Sequence, residues 1–204
     1  MNDNKNLTIE ETFNLAVKNH QEGKTDNAQE LYNQILKINP NHSAALNNIG
    51  IIFIDLGKNQ KAKECYGKAI KINPNYANAH YNLGNIFKKL GENQKAIDCF
   101  KKAIEINPDY ADAHNNLAVV LMELGENQRA KDCYEKAIKI NPNYIAAHNN
   151  LGNLFLELGE NQRAKSFFEK AIAINPNNVS LLNNIANLIC FTNFSNLSKN
   201  DILS

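Results

Sequence analysis

Residues 111–144 read ADAHNNLAVVLMELGENQRAKDCYEKAIKINPNY. Apolar side chains at Leu117, Val120, Leu121 and Leu124 return at three- and four-residue steps, the spacing of one helical face. Gly125 stops that helix, because glycine accepts the left-handed conformation at a helix C-terminus; the polar Glu126-Asn127 then predicts a turn and an N-cap for the next helix. Ala130, Tyr134, Ala137, Ile138 and Ile140 make a second helical face. Pro142 ends it, since proline has no backbone N–H and disfavours the helical region for the residue before it. The stretch is a helix hairpin.

The hairpin recurs along the chain. Pro40, Pro74, Pro108, Pro142 and Pro176 are spaced by 34 residues, and each follows Ile-Asn. Gly23, Gly57, Gly91, Gly125 and Gly159 keep the same interval, as do Ala28, Ala62, Ala96, Ala130 and Ala164. Five units follow, over 9–42, 43–76, 77–110, 111–144 and 145–178, with a polar lead over 1–8 and a partial sixth unit and tail over 179–204. One hairpin cannot bury its apolar face alone, so neighbouring hairpins must stack. The small residues Gly50, Gly84, Ala118, Gly152 and Ala186 of the first helices are expected to lie opposite an alanine of the second, such as Ala62 or Ala96. Tyr32, Tyr66, Phe100, Tyr134 and Phe168, each four residues after that alanine, fill the remaining volume.

This pattern resembles the tetratricopeptide repeat family, whose 34-residue unit carries Leu-Gly in the first helix, alanines and an aromatic in the second, and a proline near the end. The resemblance implies an all-α fold, a right-handed superhelical α-solenoid. The chain departs from the family pattern in two places. The bulky residue usual at the fourth place is Thr12, Leu46, His80, His114, His148 and Leu182, and Leu-Gly becomes Leu15-Ala16, Ile49-Gly50, Leu117-Ala118 and Ile185-Ala186.

Composition narrows the function. Charged residues nearly cancel, with 22 Lys plus Arg against 21 Asp plus Glu, which argues against a nucleic-acid binder driven by bulk charge. No apolar run reaches the ~20 residues needed to span a bilayer, so no membrane insertion is expected. The polar start from Met1 to Asn6 has no apolar stretch behind it, and four cysteines do not make a disulfide scaffold; a cytoplasmic location is the expectation. Asn fills 37 of 204 places, so sequons such as Asn6-Leu7-Thr8 and Asn41-His42-Ser43 are expected by chance.

Repeat arithmetic also answers the metal question. His80, His114 and His148 hold one equivalent place, and Cys65, Cys99 and Cys133 another. Equivalent places in stacked helices lie roughly 8–10 Å apart, whereas zinc ligands sit ~2.0–2.3 Å from one ion. The histidines are expected to pack between helices with a satisfied ring nitrogen, and the cysteines to act as small half-buried apolar groups. No phosphate-binding glycine loop or nucleophile elbow occurs. No catalytic constellation, metal or cofactor is expected, and the chain reads as a non-enzyme.

The first helices carry the candidate site. Their sixth place is Asn14, Asn48, Asn82, Asn116, Asn150 and Asn184 without exception; the fifth adds Asn47, Asn115, Asn149 and Asn183, interrupted by Phe13 and Tyr81; the ninth adds Asn85, Asn153 and Asn187. A carboxamide offers both acceptor and donors, the complement of a peptide backbone. Such a row resembles the asparagine ladder in the superhelical arm of O-linked N-acetylglucosamine transferases, which implies an extended protein segment gripped in the concave groove. Specificity is then expected from Phe13, Val17, Ile51, Tyr81, Lys88, Lys89, Val119, Glu123 and Glu157, with Tyr81 and Phe13 as hot spots. Tetratricopeptide domains that clamp a chaperone C-terminus need cations where this chain has Tyr81, Ala146 and Asn150, so that mode is not expected.

The ends point to other readings. Thr8-Ile9-Glu10-Glu11 predicts a capping box that starts the array. Leu181, Leu182, Ile185, Leu188, Ile189 and Phe191 form an apolar pattern where an array normally shows a polar closing face. Three readings follow: a poorly capped end, self-association through that helix, or the substrate-selecting arm of a longer glycosyltransferase-like enzyme.

Overall fold

In a computed structural model of the chain, the described residues are 7–177, and within them the backbone forms ten α-helices and no strand. They come in pairs: α1 (Ile9–Gln21) with α2 (Thr25–Ile38), α3 (Ser43–Asp55) with α4 (Asn59–Ile72), and α5 (Ala77–Lys89) with α6 (Asn93–Ile106). Then follow α7 (Ala111–Glu123) with α8 (Asn127–Ile140), and α9 (Ile145–Glu157) with α10 (Asn161–Ile174). The chain divides into two compact units, Met1–Asn107 and Pro108–Ser204. The architecture is an all-α helical-repeat solenoid. The sixth repeat, with Asn183, Asn184, Asn187 and the apolar pattern from Leu181 to Phe191, lies outside the described residues.

Each hairpin is closed by local chemistry. At the start of α1 the Thr8 N–H donates to Glu11 Oε2 at 2.8 Å and the Glu11 N–H donates to Thr8 Oγ1 at 3.1 Å, the predicted capping box. These bonds to Thr8 hold the Glu11 carboxyl below its ordinary range. At the end of α7, Gly125 has φ +75°, its N–H donates to the Met122 carbonyl at 2.9 Å, and the next N–H, of Glu126, donates to the Leu121 carbonyl at 2.9 Å. A residue with a Cβ would be strained there. The N-cap expected at Glu126-Asn127 does not form: no side chain caps α8, and the Glu126 carboxylate pairs with Arg129 instead. A cationic partner one turn ahead outcompetes the backbone N–H for that carboxylate.

In the first unit, Ala16, Ala28, Tyr32 and Ile35 of the first hairpin bury against Ala45, Ile49 and Ile52 of α3. Ala62 and Tyr66 of the second hairpin bury in turn against Ile86 of α5. The first and second hairpins are thus each completed by the first helix of the next, which is why stacking and folding are one event within this unit. The second unit repeats the pattern in Leu117, Ala118, Tyr134, Leu151, Leu154 and Phe168, all buried.

The first-helix glycines lie closest to a ring. Gly50, Gly84 and Gly152 face the core aromatic of their own hairpin, and a Cβ added to them would sit 2.4 Å from Tyr66, 2.7 Å from Phe100 and 2.5 Å from Phe168. The ring, four residues beyond the alanine, reaches farther across the hairpin than an alanine methyl can and takes the space over the glycine.

Candidate functional site

The histidines are tied to the scaffold. Nε2 of His80, His114 and His148 lies 2.9, 3.0 and 2.8 Å from the carbonyl oxygen of Pro74, Pro108 and Pro142, six residues earlier. A carbonyl only accepts, so Nε2 carries the proton and donates. Burial, first among the causes, lowers the His114 pKa and keeps that ring neutral. Burial likewise raises the thiol of Cys65 and pushes that of Cys99 up to about 11, so neither is a ready thiolate. Among the described residues no group of three His, Cys, Asp or Glu could hold a metal ion, and no helix is long and apolar enough to cross a membrane.

Asparagine does several jobs here. Oδ1 of Asn39, Asn73 and Asn141 accepts the N–H two residues on, at 3.1 Å each, folding the Asn-Pro-Asn loops. On the first helices the predicted residues fall into a connected set. Asn47 donates to Asn48 Oδ1 at 3.1 Å and accepts from Asn82 Nδ2 at 3.0 Å, while Asn48 Nδ2 donates to Tyr32 Oη at 3.0 Å. In the second unit, Asn115 donates to Asn116 Oδ1 at 3.0 Å and accepts from Asn150 Nδ2 at 3.2 Å. The link runs from a fifth-place amide to the sixth-place amide of the next repeat, so the row is in part a cross-repeat scaffold.

Burial separates the members. Asn47 and Asn115 are 2% and 4% exposed. Asn115, expected from the sequence to meet a ligand, has both ends of its amide bonded inside the protein. Asn48, Asn82, Asn85, Asn116, Asn149, Asn150 and Asn153 are half-buried, and Asn14 is exposed. Asn82 and Asn150 each commit one donor to the scaffold, which leaves the rest of a four-bond carboxamide capacity for other partners. Asn184 lies outside the described residues. The two fifth-place aromatics lean on their own cores, Phe13 with its ring centroid 5.7 Å from Tyr32 and Tyr81 5.9 Å from Phe100; both rings remain partly exposed.

Within the first unit a cleft of about 270 Å³ opens beside this face. Ile51 and Ile54 of α3 and Ile86 of α5 form its apolar walls, with Tyr66 of α4 among its lining. Asn82, Asn85 and Lys89 of α5 and Asn59 of α4 supply its polar groups. Ile51 and Lys89 are legible from the sequence as groove positions. Ile54, Asn59 and Ile86 are not, and Tyr66 reads from the sequence only as volume filling between helices. The Asn59 Oδ1 is buried without a hydrogen-bond partner.

Tyr134 breaks the symmetry of the network. It is fully buried, and its Oη has no hydrogen-bond partner, whereas the equivalent Tyr32 accepts from Asn48. Asn150, the sixth-place amide of the following repeat, is drawn to Asn115. Burial, then the charges of Glu123 and Glu157, raise the Tyr134 phenol far above its ordinary value, so it stays neutral. An orphaned buried hydroxyl costs stability. Tyr134→Phe is expected to stabilise the fold by about 1 kcal/mol, and Tyr32→Phe to destabilise it by a similar amount because Asn48 loses its acceptor. Thermal unfolding of the two variants side by side checks the opposite signs.

The repeat pattern, the hairpins and their stacking within each unit define a helical-repeat protein of the tetratricopeptide type, and the chain belongs to the tetratricopeptide repeat family. Family profiles described as TPR repeat match residues 50–91 and 84–125, and profiles described as tetratricopeptide repeat match 13–42, 31–64 and 109–177. Among solved structures, the chain is similar to MamA at 32% identity over 79% of this chain and 94% of that one, with a TM-score of 0.69. PilF of Pseudomonas aeruginosa is 19% identical with a TM-score of 0.82, covering 91% and 84% of the two chains. YrrB, described as a TPR protein with an unusual peptide-binding site, is 20% identical with a TM-score of 0.67, covering 84% and 89%. A comparison with curated proteins returned no match.

Proposed function

We propose that this protein is a non-enzymatic interaction scaffold whose first helices hold an extended segment of a protein partner by its main chain. The observation that carries the reading is the cleft face on which Asn82 and Asn85 stand beside an apolar wall. A carboxamide can accept a peptide N–H and donate to a peptide C=O, so half-buried amides repeated along first helices suit a backbone with little regard for its side chains. The description of YrrB, a protein of the same fold, as peptide-binding is in keeping with this. The buried relays Asn47 and Asn115 set the direction of the outer amides, and within each unit a half-buried ninth-place amide, Asn85 in the first and Asn153 in the second, does the gripping.

The test follows from that division. Asn85→Ala combined with Asn153→Ala, which removes the ninth-place amide from both units, is expected to weaken binding of an extended, end-capped peptide to either unit by up to about tenfold, one hydrogen bond at roughly 0.5–1.5 kcal/mol in each. The melting temperature should fall far less than it does for Asn47→Ala, since neither side chain is fully buried. Fluorescence anisotropy and thermal unfolding on the same samples measure both. Equal loss of affinity and stability would make these amides structural.

A further inference from the structure

We propose that the cleft between α3 and α5 receives one large aliphatic side chain of the bound segment, and that an acidic residue beside that side chain meets Lys89; this deepens the groove reading above and rests on it. At about 270 Å³ the cleft is smaller than the roughly 300–1,000 Å³ of pockets that enclose small molecules. It suits a single side chain. Its walls are Ile51, Ile54 and Ile86, and Ile54 is 36% exposed, apolar surface that an aliphatic guest would remove from water. The polar groups stand on α5, where Asn82 and Asn85 can take the main chain on either side of the anchored residue.

Charge selects the neighbour. Lys89 lines the cleft, is exposed, and has no ion pair among the described residues. The same thirteenth place holds Glu123 in α7 and Glu157 in α9, which would repel such an acid, and Asp55 in α3, whose carboxylate lies 3.0 Å from His20 Nε2. One cation over an apolar wall is too little for a phosphate backbone, whose binding needs several. The cleft therefore reads an aliphatic-acidic pair in a protein segment.

The experiment uses the full chain and three fluorescein-labelled, end-capped peptides of alternating serine and alanine, differing only at their centre: Leu-Glu, Ala-Glu and Leu-Lys. Fluorescence anisotropy at low salt is expected to rank Leu-Glu first, with Ala-Glu about tenfold weaker from lost apolar burial and Leu-Lys about threefold weaker from the unfavourable charge. Lys89→Glu, a surface change that should leave thermal unfolding unmoved, is expected to reverse the Glu/Lys preference while keeping the Leu/Ala ratio. Equal affinity for all three peptides overturns the cleft assignment and leaves groove binding standing. No binding by any of them overturns both. A Glu/Lys preference that survives Lys89→Glu overturns the role given to Lys89.

Discussion

Phe100→Ala is expected to cost about 3–5 kcal/mol, the range for removing a fully buried aromatic ring whose surroundings cannot collapse. Phe100 is wholly buried. Its ring covers Gly84 so closely that a Cβ there would be 2.7 Å away, and Tyr81 leans on it at 5.9 Å. The ring is thus the spacer between α5 and α6, and the glycine exists to admit it. Helices held on both sides by their own hairpin contacts cannot close over the gap. Phe100→Leu, which keeps most of the volume, should cost less than about 1.5 kcal/mol. Urea unfolding followed by far-UV circular dichroism decides; a loss below about 1 kcal/mol for the alanine variant would show that the ring is not the spacer.

Asn47→Ala carries the second large effect, about 2 kcal/mol. Asn47 is 2% exposed and is bonded to two other amides, donating to Asn48 and accepting from Asn82. Its removal leaves the Asn48 carbonyl and the Asn82 amide without partners in a partly buried place, and stranded groups cost more than the net value of the bonds they lose. Asn47→Leu refills the space yet strands the same two groups, so it should be destabilising as well. A leucine variant as stable as the parent would show that the cavity, and not the amide relay, matters at this position.

The fold is legible in the sequence because its determinants are local and repeated. Gly125 with φ +75° and Pro142 at the helix end act within a turn of themselves, and five copies in phase multiply each signal. The site is legible only in outline. That the sixth place is always asparagine can be read directly; where each amide points cannot, because Asn82 is aimed by Asn47, a residue 35 positions away in the preceding repeat. Where the fifth place is Tyr81 the relay has no amide to offer. The cleft escapes notice for a similar reason: Ile54, Tyr66 and Ile86 come from three helices and become neighbours only when those helices pack. The missing cap at Glu126 shows the same limit at short range, since its carboxylate was free to choose Arg129 over the backbone.

The central claim is that the asparagines of the first helices form two sets, a buried relay that holds repeats together and a half-buried set that meets the partner. Thermal unfolding and peptide affinity measured together on Asn47→Ala and on the Asn85→Ala, Asn153→Ala pair test it most directly. The account predicts a lower melting temperature for the first variant, and for the second a loss of up to about tenfold in affinity with a far smaller change in melting temperature. Parallel loss of both properties in both variants would contradict it.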